Sequence, residues 1–218
     1  MLENYVCKIY VSKDPSFSKN LEATAFGFND KEQLKVLTAA HVVTDALGKE
    51  YPSSNTQKLY VIFHNHLGPV NTVPVPVDFI LNNCNDSNNF KDNYPFVDSA
   101  EMKLPANIKQ PVSQYFKARN PKENMHTFGV GYPLDQTVLS TVFGKIQSIF
   151  IEDCENQRGQ HYTSRFVISH NNRQGCSGGP YIISDGDEYY VIGSLIGEMF
   201  GKKEHSCPTL SVQSSADF

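Results

Sequence analysis

Tryptophan is absent from this 218-residue chain, and no apolar run approaches the roughly 20 residues that a membrane-spanning helix needs. Charge of one sign is scarce too: 19 Lys and Arg against 23 Asp and Glu leave a formal net charge of −4. With no Lys/Arg-rich stripe, that balance argues against a nucleic-acid surface. The opening residues, Met1-Leu2-Glu3-Asn4-Tyr5, lack both the basic region and the apolar core of a secretory signal. The chain is therefore expected to act in the cytoplasm or to be exported by a route the sequence does not display. Cysteine is sparse and odd in number. Cys7, Cys84, Cys154, Cys176 and Cys207 do not form the closely spaced pattern of a disulfide-stapled domain, so reduced thiols are expected. Asn85-Asp86-Ser87 fits the glycosylation pattern, and without a secretion signal it is read as a chance match. No internal repeat or low-complexity tract is present.

What the chain has is β-forming sequence. Hydrophobic residues make up 39% and aromatics 11%, enough for packed cores. Short runs rich in Val, Ile, Tyr and Phe alternate with Asn, Gly, Asp and Pro. This pattern predicts strands at Tyr5–Val11, Thr24–Phe28, Gln33–Thr38, Leu59–Phe63 and Val73–Leu81 in the first half. In the second half it predicts His126–Val130, Thr137–Ile151, Arg165–Ser169, Pro180–Ile183 and Tyr189–Ile196. Such spacing suits closed barrels, which hide their sheet edges. The length fits two small ones. The polar, proline-containing and less periodic stretch 105–124 is expected to connect a first barrel, 1–104, to a second, 125–218.

Residues 175 to 180 read Gly175-Cys176-Ser177-Gly178-Gly179-Pro180, a serine on a glycine-rich turn that few structural needs would select. Ser177 is the candidate nucleophile. A hydroxyl needs a base for its proton and an anion to orient that base. Leu37-Thr38-Ala39-Ala40-His41 supplies a histidine at the end of an apolar run, with Val42–Ala46 expected to form a helical turn after it. Val97-Asp98-Ser99-Ala100 supplies a carboxylate. Asp98 is preferred to Asp92 because an orienting carboxylate must be partly buried, and Phe96, Val97, Ala100 and Met102 offer that burial. The glycines permit inward-facing N–H groups, so the amides of Gly175 and Ser177 are the expected oxyanion hole. His41 and Asp98 then fall in the first barrel and Ser177 in the second.

In these motifs the chain resembles the chymotrypsin-like serine peptidases, in particular their HtrA/Deg-type and glutamyl-endopeptidase-like bacterial branches. Thr38-Ala39-Ala40-His41, Asp98-Ser99-Ala100 and Gly175 to Pro180 are similar to the family's histidine, aspartate and serine motifs, in the family's order. Gly131-Tyr132-Pro133 with Gln136-Thr137-Val138 is similar to a segment early in the second barrel of Deg-type enzymes. The resemblance implies an all-β fold of two six-stranded antiparallel Greek-key barrels with the active site in the cleft between them. It also implies a serine endopeptidase acting on protein or peptide substrates through an acyl-enzyme, with no cofactor and no metal. Cys176 stands where trypsin-like zymogens carry an aspartate, so activation by N-terminal cleavage is not expected. With Phe218 the last residue, regulation by an appended PDZ domain is not expected either.

By the same resemblance the substrate pocket is lined by His170, Asn171, Gln174, Leu195, Ile196 and Gly197. Asn171 stands where trypsin has the acid that selects basic side chains, which argues against strict Lys/Arg cleavage. His170 and Asn171 suit a polar substrate group, Leu195 and Ile196 an apolar one, and the choice stays open. Two alternatives to the serine reading are a catalytically silent binding module and attack by the Cys176 thiol. The register disfavours the thiol, because Ser177 directly precedes Gly178-Gly179, and Cys176 is expected to pack into the second barrel. His64 and His66, with His205 and Cys207, lack the fixed spacing of a zinc site. Gly129-Val130-Gly131 is read as close backbone packing rather than a dinucleotide fingerprint.

Overall fold

The described part of the first 103 residues holds seven strands: β1 (Val6–Ser12), β2 (Leu21–Asp30), β3 (Gln33–Ala39), β4 (Thr56–Asn65), β5 (Gly68–Pro69), β6 (Val75–Asn82) and β7 (Ser99–Lys103). An α-helix, α1 (Ala40–Leu47), follows β3 and ends at Gly48 in the left-handed conformation, φ 88°. The computed structural model describes residues 1–30, 33–48, 56–82, 99–119, 121–150, 154–155, 161–162, 165–168, 173–195 and 207–210. Asp92, Asp98, His170, Asn171, Ile196, Gly197, His205 and the sequon at Asn85 lie outside the described residues.

The chain continues through β8 (Lys117–Ala118), β9 (His126–Gly131), β10 (Ser140–Phe150), β11 (Cys154–Glu155), β12 (His161–Tyr162), β13 (Arg165–Ile168), β14 (Pro180–Asp185), β15 (Glu188–Leu195) and β16 (Cys207–Leu210). In the first sheet the order β1-β2-β3-β7-β6-β4 closes on itself because β4 also pairs with β1, which makes a six-stranded antiparallel barrel. In the second, β14-β9-β10-β13-β16-β15 closes through β14 and β15. Numbering each barrel's strands in chain order, both rings read first, second, third, sixth, fifth, fourth. In both, the fourth strand returns beside the first, the Greek-key arrangement. None of the described helices is long and apolar enough to cross a membrane.

Alternation of side chains along the strands sorts the apolar residues into three layers. Cys7, Ile9, Val61, Phe63 and Phe79 fill the first barrel. Ile146, Tyr181, Ile183 and Ile192 fill the second. A third cluster lies between them, with Val6, Phe26, Phe28 and Leu37 from the first barrel against Val130, Tyr132, Ile182 and Val191 from the second. The stretch 105–124 is more than a polar connector. Its Phe116 is fully buried in that middle layer, where it stacks on Tyr5 at 4.3 Å and exchanges backbone bonds with Gly27 and Asn29. Burying such a ring stabilises by roughly 1.5–3 kcal/mol. Just beyond it, β8 adds to β15 in parallel.

Differences from the sequence-based elements have local causes. β10 starts at Ser140 rather than Thr137 because the Gln136 N–H donates to Pro133 O, closing a turn in which Asp135 takes φ 59°. The helix starts earlier than expected, so that His41 lies in its first turn, because Ala40 favours helix and Ala39 stays extended as the residue before it. Strands β5, β8, β11 and β12 span two residues each and leave no periodic signal. Residues 99–103, Ser-Ala-Glu-Met-Lys, carry little β propensity, and β7 exists because β3 and β6 flank it.

Candidate active site

The serine turn is built from backbone geometry that only glycine tolerates. Gly175 has φ 87° and Gly178 φ 80°. A Cβ on Gly175 would lie 2.8 Å from Pro133 C and against the Leu134 N, and one on Gly178 would lie 2.6 Å from Ala39 N and 2.6 Å from Thr24 O, against Thr38 Oγ1. Both contacts are with backbone that cannot yield. The second brings the serine segment directly onto Thr38 and Ala39, the residues that lead into α1. His41, half-buried in the first turn of α1, is thereby carried to the same seam as the half-buried Ser177. The helix is anchored by Ala40, Val42 and Val43, all buried in the first barrel's core.

Thr24, on β2, bridges the barrels at this point. Its N–H donates to Ser177 O at 3.0 Å, its Oγ1 donates to Gly175 O at 3.1 Å, and the same oxygen accepts the Tyr132 N–H at 2.9 Å. Thr38 Oγ1 in turn donates to Thr24 O at 2.8 Å. On the other flank the Leu134 N–H donates to Gln174 O at 2.8 Å. The carbonyls of residues 174, 175 and 177 are therefore all held. Within the turn the N–H of Cys176 bonds Arg173 O, that of Gly178 bonds Leu195 O and that of Gly179 bonds Cys176 O. The N–H groups of Gly175 and Ser177 have no hydrogen-bond partner among the described residues.

Cys176 is 7% exposed and packs with Ile146, Tyr181 and Ile192 in the second barrel. Burial pushes its thiol above the ordinary range, so the nucleophilic thiolate is disfavoured. Gly131 makes room for it, since a Cβ there would lie 2.9 Å from the Cys176 Cβ. Gly129 likewise sits where a Cβ would lie 2.8 Å from the Tyr181 ring. Cys7, likewise a free cysteine, is buried in the first barrel.

Among the expected pocket residues, Gln174 is exposed at the mouth of the turn and joins it through its carbonyl. Leu195 is 6% exposed, with its side chain packed in the second barrel's core. What it lends the turn is backbone: its O accepts from Gly178 and its N–H donates to Gly179 O. Asp98 precedes Ser99, which is buried and stands opposite Ala39 in the β3–β7 register. His64 packs edge-on against Tyr10 at 5.2 Å, while His66 Nδ1 lies 3.2 Å from Glu3 O. Thr24, Lys8 and Glu22 enter the site without any sequence signal, whereas Leu134 lies inside the stretch 131–140 that carries the Deg-type resemblance. Nothing local to residue 24 announces a partner 151 positions away.

Two closed Greek-key barrels with a glycine-held serine turn and a helix-borne histidine at their seam define a double-barrel serine peptidase. The trypsin family model matches residues 15–216, and the chain belongs to that family, the serine endopeptidases of trypsin-like fold. No curated protein matches it in sequence. Among solved structures it is similar to the active form of the Rv3671c protease from M. tuberculosis, with 23% identity over 99% of this chain and 79% of that one and a TM-score of 0.61. HL collagenase gives 17% identity, 99% and 91% coverage and a TM-score of 0.62. The HtrA-type protease AlgW with tripeptide gives 16%, 96% and 57%, and 0.59.

Proposed function

We propose that this trypsin-family endopeptidase hydrolyses peptide bonds with Ser177 as nucleophile, His41 as general base and then acid, and Asp98 as the anion that orients His41. The Gly175 and Ser177 N–H groups serve as the oxyanion hole. The observation that carries this reading is the pair of amides with no partner among the described residues, in a turn where the N–H groups of Cys176, Gly178 and Gly179 are engaged. Donors fixed in advance and left unpaired are what a developing alkoxide needs, because no reorganisation is required when charge appears. Ser177 Oγ attacks the scissile carbonyl carbon as its proton passes to His41, and the carbonyl oxygen becomes the oxyanion at the two amides. Collapse breaks the C–N bond, with the His41 proton going to the leaving amine. Water then repeats the sequence on the acyl-enzyme. The substrate side chain is received beside Gln174, with His170, Asn171, Ile196 and Gly197 as further contacts and the Leu195 backbone as support. Asn171 weighs against a strict basic preference.

Ser177→Ala should abolish both peptide cleavage and labelling by a fluorophosphonate probe, with a turnover loss on the order of 10⁶, while Cys176→Ala retains most activity. Cleavage surviving in purified Ser177→Ala would overturn the serine assignment. A wild-type chain that neither cleaves nor labels would point instead to a silent binding module.

A further inference from the structure

Lys8 is only 1% exposed, an expensive place for an ammonium group unless its charge and protons are all used. It lies on β1 opposite Thr24 of β2, and the next pair on the same face is Tyr10 opposite Glu22. One face of this two-stranded ribbon thus carries Lys8, Tyr10, Glu22 and Thr24. Lys8 Nζ forms an ion pair with Glu22 Oε2 at 2.5 Å and sits 5.0 Å over the Tyr10 ring. A further bond runs to the other barrel, with Nζ donating to Gln136 O at 2.8 Å. Glu22 Oε2 does the same, accepting the Asp135 N–H at 3.0 Å.

The loop so held has little hold of its own. Residues 134–138 are all exposed, and Asp135 sits at φ 59°. At its head, however, the Leu134 N–H bonds Gln174 O. That carbonyl belongs to the same planar peptide as the Gly175 N–H, and in a trans peptide the two point in opposite directions. Fixing the oxygen toward Leu134 therefore aims the Gly175 N–H away from it. We propose that Lys8 and Glu22 are positioning residues for hydrolysis: acting through the backbone of residues 134–136, their buried ion pair sets the Gln174–Gly175 peptide plane and so aims one oxyanion donor. This deepens the proposed function and rests on its assignment of the Gly175 N–H.

Removing one oxyanion donor costs about 10² to 10³ in kcat. A donor that is freed to turn rather than removed should cost less, roughly 10- to 100-fold. The variant is Lys8→Met/Glu22→Leu, which discards both buried charges together, since either alone would strand its partner. Expected are kcat down by that factor, KM within about threefold of wild type, and affinity for a peptide boronic acid, which forms a tetrahedral adduct, reduced in parallel with kcat. A purely structural ion pair would move the thermal midpoint without this split. If the double variant does not fold, Glu22→Gln, whose amide oxygen still accepts from both Lys8 Nζ and the Asp135 N–H and so removes only the charge without stranding Lys8, should lower kcat about three- to tenfold on the same grounds. A folded variant with kcat and boronate affinity within about twofold of wild type, or with the loss confined to KM, overturns the positioning role. Ser177→Ala inactive beside an unimpaired double variant removes the clamp alone, whereas an active Ser177→Ala removes the function on which it rests.

Discussion

Replacing Thr24 with valine keeps its shape and removes one oxygen, and that oxygen both donates to Gly175 O at 3.1 Å and accepts from the Tyr132 N–H at 2.9 Å. Gly175 and Tyr132 are buried, so water does not replace the lost partner. Each stranded backbone group costs about 1–3 kcal/mol, a sum near 4 kcal/mol, which in a domain of this length lowers the thermal midpoint by roughly 8–16 °C. Thr24→Ser keeps both bonds and loses only the methyl group that packs near Gly179, at about 1 kcal/mol and a few degrees. The Thr24 N–H to Ser177 O bond survives in both, so their difference isolates the hydroxyl. Calorimetry on the two variants beside wild type, with kcat measured well below either midpoint, reads both effects. The valine variant should lose about tenfold in kcat beyond the serine variant, because the peptide joining Gly175 to Cys176 is no longer pinned beside the Ser177 donor. Equal midpoints and equal kcat for the two would refute the claim that this hydroxyl holds the serine turn.

Gly178→Ala should be far harsher than Gly186→Ala at an exposed turn, where φ is also positive at 61° but a Cβ meets nothing within 4 Å. With backbone in the way and φ 80° to maintain, the cost is about 2–5 kcal/mol, read as a lowered denaturant midpoint together with lost fluorophosphonate labelling. His64 predicts a pH dependence of stability. Burial and the nearby Lys8 charge lower its pKa, so on acidification the unfolded chain, titrating near about 6.5, takes the proton first. Stability is therefore lost as pH falls through that value and continues to fall until the folded imidazole also protonates. The urea midpoint should drop more between pH 7.5 and 5.5 in wild type than in His64→Gln, and identical drops would count against it.

Legibility of the fold and site tracked how local the deciding interactions are. Residues 5–11 and 126–130 announce themselves because a short run of β-forming residues bounded by turn formers is a local pattern, and β1 and β9 form there. The serine turn was legible because its demands on backbone dihedrals fall within six consecutive residues. β7 and β16 were not, since Ser99–Lys103 and Cys207–Leu210 are strands only by virtue of flanking partners. Phe116 carries no signal for a related reason: the adjacent pair Tyr115-Phe116 in a polar stretch has no period, yet Phe116 fills the layer between the barrels. Lys8 is the sharpest case. On a strand a lysine reads as a solvated side chain, and only the return of residue 136 over that face makes it a buried ion.

That return bears on how the oxyanion turn is stabilised in a chain with Cys176 at the position where trypsin-like zymogens carry an aspartate. Cys176 has no charge to offer and is committed to the second barrel's core, so the turn cannot be ordered by an ion pair at that position. Its order comes from outside instead. Thr24 holds residues 175 and 177 from the first barrel, and Leu134 holds residue 174 from a loop that is itself tied to Lys8 and Glu22. Every one of these ties crosses the seam or runs along it, between segments more than 35 residues apart in sequence. Ordering of the turn is thus coupled to docking of the two barrels. Any change that parts the barrels at Thr24 should accordingly silence labelling of Ser177 even with each barrel folded, and labelling that persists in such a variant would refute the coupling.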